Sequence, residues 1–405
     1  MELLSGTTMR DRFATIPMYE DDPILGLNEA FKQDTRERKI NLGVGVYKTA
    51  DLTPSILNCV KKAEAQLLNT EREKEYLPIA GLPEYRLITQ KLLFGIDSSV
   101  FEDNRVFTVQ TLGGSGSLRV GAEFLSQTIS QEIYVPTPTW SNHKGLFQGG
   151  GMTVKNYPYF NSETHRLDFD RMIHALEQIP SSSSVLLHVC CHNPTGVDLN
   201  MDQWKIVSEL MLDRGLLPFF DFAYQGFGTG IEEDAAPLRL FADAGHQMLV
   251  ASSNSKNFGL YGERVGALSV VCSHSESATR CGSMLKTLIR SNYSSPSIHG
   301  ARIVSTIYQS DSLRNEWKVE LGTMRERIKE MRKSLIASLS AKCDHDYSFL
   351  EKQVGMFSFC GLNSEQVSRL QHEYGLYMPS SGRINVAGLN QQSLEYVVES
   401  IIAVL

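Results

Sequence analysis

A lysine and an arginine eight residues apart are the first candidates for chemistry in this sequence. Lys256 and Arg264 lie in "NSKNFGLYGERVG", directly after the apolar segment "GHQMLVASS". A lysine removed from water loses basicity and can form a Schiff base with an aldehyde. The hydroxyls of Ser253 and Ser255, together with a guanidinium, could hold a phosphate. The alternative is a surface loop with two solvated cations, and this segment alone leaves both open.

A carboxylate and an aromatic ring follow two other apolar segments. Asp221 ends "LLPFFD", where a carboxylate is costly unless a cation or hydrogen-bond donors compensate it. It either makes a structural salt bridge or pairs with a protonated ring nitrogen of a cofactor. Trp140 and His143 follow another strand-like segment, in "PTPTWSNHKG". They suit stacking on a planar ring, and a core tryptophan is the ordinary alternative.

A glycine-rich segment and an asparagine complete the set of candidates. Gly113-Gly114-Ser115-Gly116 leads from an apolar segment into a helical one. Backbone N–H groups there could bind an anion at a helix N-terminus, or the segment could be a tight turn. It matches neither the Rossmann nor the P-loop pattern. Asn193, in "CHNPTGVD", either caps the next helix or points its amide into a cleft.

The elements that must position these residues alternate between strands and helices. We predict helices at Ser117–Gln127, Phe169–Gln178 and Met201–Arg214. The predicted strands are Val106–Thr111, Glu132–Pro136, Ser184–Cys191, Leu216–Phe222, Met248–Ser252 and Ala267–Cys272. Such alternation predicts an α/β fold with a mostly parallel sheet flanked by helices. Ligands of these sheets bind beyond the carboxyl ends of the strands, where the candidate residues lie.

Composition excludes several classes of protein. The 405 residues carry a net charge of −7 without a basic block, which disfavours nucleic-acid and membrane partners. Seven cysteines without a CxxC pair indicate a reducing compartment rather than a disulfide framework. In "LHVCCHNP" we expect a packed strand rather than a zinc site, and no metal is expected elsewhere. The start of the chain does not read as a signal peptide and no transmembrane span is expected, so we expect a cytoplasmic protein.

Together the candidate residues indicate one cofactor. An amine nucleophile, an anion-binding arginine, a buried aspartate, a glycine-rich segment and an aromatic plate are what pyridoxal phosphate needs. They would supply its aldehyde partner, its phosphate site, its pyridinium partner and its ring packing.

Longer motifs carry a family resemblance. From about Asp22 to the C-terminus, the chain resembles the aspartate aminotransferases, which belong to fold type I of the pyridoxal-phosphate enzymes. The motifs are "SKNFGLYGERVGALSVV", "HNPTGVD", "FFDFAYQGF", "EYLPIAGL", "INLGVGVYKT", "GMFSFCGLN" and "MPSSGRINVAGL". The resemblance implies a homodimer with shared active sites. It also implies an N-terminal arm with part of a small domain (1–52), a large cofactor-binding domain (53–320) and a small α+β C-terminal domain (321–405).

The resemblance also implies roles for individual residues. Lys256 would bind the cofactor covalently and act as general base and acid, and Asp221 would pair with the pyridinium nitrogen, supported by His143 and His188. The other expected cofactor ligands are Trp140, Asn193, Tyr224, Ser253, Arg264, Gly114, Ser115 and, from the neighbouring subunit, Tyr76. The expected substrate-binding residues are Arg383 for the α-carboxylate, Arg290 across the dimer interface for the distal carboxylate, and Gly45, Trp140, Asn193 and Phe357 along the cleft. Trp140, Tyr224 and His143 are also expected to assist catalysis.

Three positions depart from the family pattern. Gly113 stands where a serine is usual, Ser295 where an asparagine is common, and Asn254 where an aromatic residue is usual. None removes a charge from the mechanism. We therefore expect transfer of the amino group from L-aspartate to 2-oxoglutarate, which gives oxaloacetate and L-glutamate. The alternatives are a broad-specificity aspartate/aromatic aminotransferase and a catalytically inactive binding protein on the same fold.

Overall fold

The fold is built around one seven-stranded sheet. A computed structural model describes residues 11–18 and 24–405. The sheet has the order β2 (Val106–Leu112), β10 (Val265–Val271), β9 (Met248–Ser253), β8 (Leu217–Phe222), β7 (Ser184–His188), β3 (Glu132–Thr137), β4 (Thr153–Pro158). All strands are parallel except β10, which runs antiparallel to both of its neighbours. The predicted mostly parallel α/β sheet is therefore confirmed.

Both faces of the sheet are buried because its central strands are mainly apolar on both sides. Successive residues of a strand join different hydrophobic clusters: Phe219 lies in one and Phe220 in the other. Helices α5 (Gly113–Thr128), α6 (Asn142–Gly149) and α10 (Ser275–Asn292) cover one face. The helices over the other face are α2 (Asn58–Thr70), α3 (Pro83–Phe94), α7 (Phe169–Gln178), α8 (Met201–Arg214), α9 (Ala236–Asp243) and α11 (His299–Gln309). Continuous apolar strands are what a doubly covered sheet requires.

Smaller elements lie beside the large sheet. Strand β1 (Ile40–Asn41) pairs with β12 (Leu376–Tyr377), and β11 (Phe357–Phe359) pairs with β13 (Arg383–Asn385). The remaining strand pair is β5 (Phe160–Asn161) with β6 (Arg166–Leu167). The remaining helices are α1 (Leu25–Gln33), α4 (Ser99–Glu102), α12 (Asp311–Lys342), α13 (Ser364–Tyr374) and α14 (Gln391–Val404). Within the described ranges, no helix is long and apolar enough to cross a membrane.

Apolar residues that recur at spacings of mainly four and three from Trp317 to Leu339 predict one long amphipathic helix, and α12 spans this segment. Trp317, Leu321, Met324, Ile328, Met331, Leu335 and Leu339 are all buried, so the predicted apolar stripe is confirmed. Trp317 donates its indole N–H to the carbonyl of Asn257 (2.7 Å) and stacks on Phe258 at 4.4 Å. The helix thus braces the segment that carries Lys256. The boundary predicted between residues 320 and 321 falls inside α12, and the division into domains stays a prediction.

Three predicted elements have one end that differs from the structure by two or more residues. Strand β7 ends at His188 rather than Cys191, because Cys191 has a φ of +54° and the chain turns there. Strand β10 starts at Val265 rather than Ala267 and ends at Val271. Helix α5 starts at Gly113 rather than Ser117, so the glycine-rich segment is the first turn of the helix and not a loop before it.

Candidate active site

A cavity of about 420 Å³ lies at the carboxyl ends of the parallel strands. Twelve of the expected site residues line it: Gly45, Gly114, Ser115, Trp140, Asn193, Asp221, Tyr224, Ser253, Lys256, Arg264, Phe357 and Arg383. Parallel strands bring together residues that are far apart in sequence, because their carboxyl ends meet at one edge of the sheet. Strands β8 and β9 deliver Asp221 and Ser253, and Arg383 opens β13.

His143 lies behind the cavity and holds Asp221. Its Nε2 donates to Asp221 Oδ2 at 3.0 Å, and its Nδ1 is 2.7 Å from the hydroxyl of Thr139. That hydroxyl also lies 3.2 Å from Nε2 of His188. Burial alone would raise the pKa of Asp221, but the hydrogen bond and charge of His143, with His188 and Lys256, hold it below its ordinary value. A carboxylate therefore faces the cavity.

Lys256 is the amine of the cavity. It lies in the turn after β9, and its Nζ is 4.6 Å from the centre of the Tyr224 ring. Burial lowers the pKa of Lys256 to about 8, and the charges of Arg264 and Arg383 act in the same direction against the attraction of Asp221. An amine with this pKa is partly neutral near pH 8, as a nucleophile and proton acceptor must be.

The first turn of α5 and Arg264 form an anion-binding corner. Gly113 has a φ of +70°, and a Cβ there would lie 2.6 Å from Arg264 Nη2. The bare backbone thus lets the guanidinium reach the start of the helix, where Nη2 donates to the carbonyl of Leu112 (3.4 Å). Ser253 donates its hydroxyl to Ser255 (3.1 Å), and Arg264 Nη1 lies 3.5 Å from the same Ser255 hydroxyl. Helix N–H groups, hydroxyls and a guanidinium are the donors that phosphate prefers.

Arg383 forms a second cationic corner across the cavity. Its Nη1 donates to Asn193 Oδ1 at 3.0 Å, and Nη2 donates to the carbonyl of Gly43. The guanidinium lies 4.0 Å from the centre of the Phe357 ring, and its Nε is buried without a partner. Burial lowers the pKa of Arg383 to about 10. No carboxylate of the described chain pairs with this buried cation, so it is arranged to receive one from a ligand.

The structure also places Phe357 against Gly45. A Cβ on Gly45 would lie 2.9 Å from Phe357 Cζ, so a side chain at this position would displace the ring. Nearby, the amide of Asn385 donates to the carbonyls of Val44 and Val46 at 2.7 and 2.8 Å. These contacts fix the strand pair β11–β13 to the segment around Gly45.

Two expected site residues lie outside the cavity of the single chain. Tyr76 is 90% exposed. Arg290 is exposed near the end of α10, where its Nη1 contacts the hydroxyl of Ser294. Both were expected to act across a dimer interface, and the single chain leaves that expectation untested.

Sequence reasoning missed several residues that line the cavity. Tyr261 accepts a hydrogen bond from the backbone N–H of Tyr47 (3.0 Å) and so ties the Lys256 segment to the residues beside Gly45. Ser255 was noted as a possible anion ligand but not included among the expected site residues. Val44, Leu118, Asn142 and Ala223 also line the cavity. Their only signal is that each of them, Tyr261 included, lies within three residues of an expected site residue.

Asn254, one of the departures from the family pattern, has a local partner. Its Oδ1 accepts a hydrogen bond from the Tyr85 hydroxyl at 2.5 Å, and both side chains are buried. Its Nδ2 lies 3.4 Å from Asn257 Oδ1. The amide thus links α3 to the turn that carries Lys256.

A parallel α/β sheet with a lysine amine, a carboxylate and two anion-binding corners at its carboxyl edge defines a transferase of the pyridoxal-phosphate class. The family model for aminotransferase class I and II matches residues 37–401, and the chain belongs to this family. An aspartate aminotransferase of Escherichia coli (strain K12) is 48% identical over 395 residues, covering 97% of this chain and 100% of that protein.

Solved structures give the same result. An aromatic-amino-acid aminotransferase from Burkholderia pseudomallei, covalently bound to pyridoxal phosphate, has a TM-score of 0.95 at 47% identity and covers 98% of this chain and 100% of its own. An aspartate aminotransferase from the cytoplasm of Saccharomyces cerevisiae has a TM-score of 0.94 at 35% identity, covering 97% and 98%. The fold expected from the sequence is therefore that of the aminotransferases.

The residues of the cavity fit pyridoxal phosphate, the cofactor of this family. A cationic corner at the start of α5 and a buried carboxylate, Asp221, lie on the same cavity as Lys256. These groups match a phosphate, a ring nitrogen that is protonated and an aldehyde carbon, respectively. The unpartnered Nε of Arg383 remains for the substrate.

Proposed function

We propose that this protein transfers the amino group of L-aspartate to 2-oxoglutarate with pyridoxal phosphate as cofactor, giving oxaloacetate and L-glutamate. The observation that carries the proposal is the arrangement of Lys256, Asp221 and Arg383 around one cavity. The first offers an amine, the second a carboxylate and the third a cation without a carboxylate partner in the described chain. An amino acid bound by Arg383 would present its Cα to the lysine.

Eight residues of the same chain would hold the cofactor besides Lys256. Arg264, Ser253, Gly114 and Ser115 would bind its phosphate, Asp221 its ring nitrogen, and Trp140 the face of its ring. Asn193 and Tyr224 would hydrogen-bond the ring oxygen. When bound, pyridoxal phosphate supplies an electron sink that makes the substrate Cα acidic.

The chain's own residues then handle the proton. Asp221, kept anionic by His143, favours a proton on the ring nitrogen because opposite buried charges stabilise each other. Lys256 Nζ would take the proton from the substrate Cα and later return it, since its lowered pKa makes a neutral amine available near pH 8. Tyr224, whose ring contacts Nζ, would orient the amine.

Arg383 would select an α-carboxylate. Its planar guanidinium is fixed by Asn193, the Gly43 carbonyl and the Phe357 ring, so little side-chain entropy is lost when substrate binds. A charge-assisted bond from this site would contribute on the order of 1.5–3 kcal/mol.

We also propose a homodimer in which each cavity is completed by its neighbour. Arg290 would bind the distal carboxylate and Tyr76 the phosphate of the partner's site. The exposure of both side chains in the single chain supports this arrangement.

A cytoplasmic location is proposed as well, supported by the yeast relative described as cytoplasmic and by seven cysteines that form no disulfide. Subcellular fractionation with antibodies against the chain tests that location.

An absorbance titration tests the activity directly. The purified protein with pyridoxal phosphate should show a visible band from the lysine-bound cofactor, and L-aspartate should convert it to the pyridoxamine form. Lys256→Ala should remove both the band and turnover. A wild-type band that does not respond to aspartate would contradict the proposed substrate, and turnover by Lys256→Ala would contradict the proposed nucleophile.

A second candidate function is broad specificity for aspartate and aromatic amino acids. The similarity to the Burkholderia pseudomallei aromatic-amino-acid aminotransferase favours it. Arg290→Ala separates the substrates, because a distal guanidinium helps only a dicarboxylate. We expect kcat/KM to fall about ten- to hundredfold for aspartate and far less for phenylalanine. Equal losses for both would remove Arg290 as the selecting residue.

A further inference from the structure

Two cysteines lie in contact at the end of the sheet opposite the candidate active site. Cys272 directly follows β10, and Cys281 lies in the second turn of α10. Their Sγ atoms are 3.7 Å apart, with the Cys272 thiol donating to the Cys281 sulfur. Nothing in the proposed transamination uses either residue.

The pair is remote from the cavity that holds Lys256. Strand β10 is antiparallel, and its last residue, Val271, pairs with Met248, the first residue of β9. Lys256 follows the opposite end of β9. The two thiols therefore lie at the amino edge of the parallel strands, one strand length away from the candidate active site.

Small molecules can reach the pair. A second cavity of about 310 Å³ is lined by both cysteines and by Leu217 and Met248 at the starts of their strands. Cys281 is half-buried, whereas Cys272 is buried. An oxidant in this cavity would meet Cys281 first.

The two thiols differ in acidity, so that Cys281 is the nucleophile and Cys272 its partner. The hydrogen bond from Cys272 lowers the pKa of Cys281 to about 7 and raises that of Cys272. The thiolate is the reactive form of cysteine. The backbone of Cys272 is held by Arg105, whose carbonyl accepts from the Cys272 N–H at 2.8 Å and whose Nη1 donates to the Cys272 carbonyl at 3.3 Å. Cys272 is thus fixed beside the reactive sulfur.

We propose that Cys272 and Cys281 are a peroxide-sensitive dithiol site that forms an intramolecular disulfide. The Cys281 thiolate attacks one oxygen of a hydroperoxide, the O–O bond breaks, and Cys281 becomes a sulfenic acid. The sulfur of Cys272 then attacks the Cys281 sulfur, the S–O bond breaks, and water leaves with the thiol proton. With hydrogen peroxide, two thiols lose two electrons and two protons, and the peroxide is reduced to two water molecules.

The sequence makes the product easy to detect. Trypsin cuts after Arg264, Arg280 and Lys286, so Cys272 and Cys281 fall in adjacent peptides, 265–280 and 281–286. After treatment of the cofactor-loaded protein with hydrogen peroxide, we expect these peptides to remain joined without reductant and to separate with dithiothreitol. The intact protein should lose the mass of two hydrogen atoms.

Three serine variants make the assignment specific. Cys281→Ser should give no cross-link and leave Cys272 as a free thiol. Cys272→Ser should leave Cys281 as a sulfenic acid that dimedone traps, because its partner is gone. Cys343→Ser is the matched control, since Cys343 is also half-buried but its Sγ donates to the Leu339 carbonyl (3.5 Å) instead of a thiol. This variant should cross-link as the native chain does.

Two results would overturn the proposal. One is that both cysteines remain free thiols at a peroxide concentration that oxidises Cys343. The other is that Cys281 in the native chain proceeds to sulfinic acid without the cross-link, which would mean that Cys272 cannot reach it. Neither result depends on transamination, so each leaves the proposed function to its own test.

Discussion

At the residue scale, the charge of Asp221 should matter more than its shape. Asp221→Asn keeps the size of the side chain but leaves the ring nitrogen without a buried counter-charge. Since an uncompensated buried charge costs about 3–5 kcal/mol, we expect kcat/KM for aspartate to fall at least about 100-fold. Steady-state kinetics measure this. Asp234→Asn is the control, because that buried carboxylate accepts hydrogen bonds from the Gly226–Gly230 loop and should affect stability alone. Near-native kcat/KM in Asp221→Asn would refute the role.

Lys256 should destabilise the cofactor-free protein. Its pKa is lowered in the folded state from 10.5 to about 8, so the unfolded chain binds the proton more tightly. Stability therefore rises with pH between about 8 and 10.5, and the full cost, about 3–4 kcal/mol, is present below pH 8. Lys256→Met should recover this amount at pH 7 and almost nothing above pH 10.5. Urea unfolding across that pH range measures it.

A matched control separates burial from the loss of a lysine. Lys286 is exposed on α10, and Lys286→Met should change the unfolding free energy by less than about 0.5 kcal/mol. If both variants behaved alike, the cost could not be assigned to burial in the cavity.

Single residues were predictable from the sequence wherever a polar group interrupts an apolar strand. Asp221 was found in this way, because burial of a carboxylate needs a reason. Ser253 was found as a hydroxyl close in sequence to Lys256 and Arg264. Tyr261 was not found, because its hydroxyl accepts a hydrogen bond from the backbone N–H of Tyr47, more than 200 residues away in sequence. No local pattern encodes that contact. Arg290 and Tyr76 came only from the family resemblance, and the single chain does not bring them to the cavity.

At the scale of elements, the start of α5 explains why a glycine stands where the family usually has a serine. Gly113 has a positive φ, and a Cβ would meet the guanidinium of Arg264. We expect Gly113→Ser to weaken the affinity for pyridoxal phosphate about tenfold, because the left-handed conformation costs a side chain roughly 1–2 kcal/mol and Arg264 must move. Fluorescence titration of the cofactor-free protein measures the change.

The control for that substitution lies in the neighbouring turn. Gly262 has open space around its Cβ position and an ordinary φ, so Gly262→Ala should leave the affinity unchanged. Tighter binding by Gly113→Ser would show that the serine hydroxyl contributes more than the strain costs.

Elements were predictable where a local signal marks their ends. Helix α8 begins at the predicted residue because Asn200 and Gln203 form a capping box, and it ends where Gly215 adopts the left-handed conformation. Strand β7 ends earlier than its apolar run, because the Asp198 carboxylate accepts the N–H groups of Cys191 and His192 at 2.6 and 2.8 Å and turns the chain. Periodicity also gives no strand direction, so the antiparallel β10 could not be foreseen.

At the scale of the whole molecule, α12 links the large sheet to the C-terminal elements. Its Trp317 supports the Lys256 segment, while Arg332 donates to Ser358 (3.0 Å) and to the carbonyls of Gly355 and Phe357 (2.5 and 3.2 Å). One helix thus braces the amine on one side of the cavity and the Phe357–Arg383 corner on the other. The two halves of the cavity are held by a single rigid element.

If the subunits share their active sites as proposed, two inactive variants should complement each other in a mixed dimer. Lys256→Ala and Arg290→Ala subunits should each form dimers with little aspartate activity. In a mixed dimer, one cavity combines an intact Lys256 with an intact Arg290 from its partner, and the other cavity lacks both. Random mixing makes half of the dimers mixed, so unfolding and refolding the two variants together should restore about a quarter of the native activity.

The same mixture distinguishes the alternative directly. If each cavity used its own Arg290, every cavity in the mixed dimer would still lack one group, and activity would stay at the level of the separate variants. Sedimentation of the mixture confirms that the refolded species are dimers, and refolding each variant alone controls for the procedure. A quarter of the native rate therefore requires that Arg290 act across the interface, as its exposed position in the single chain leads us to expect.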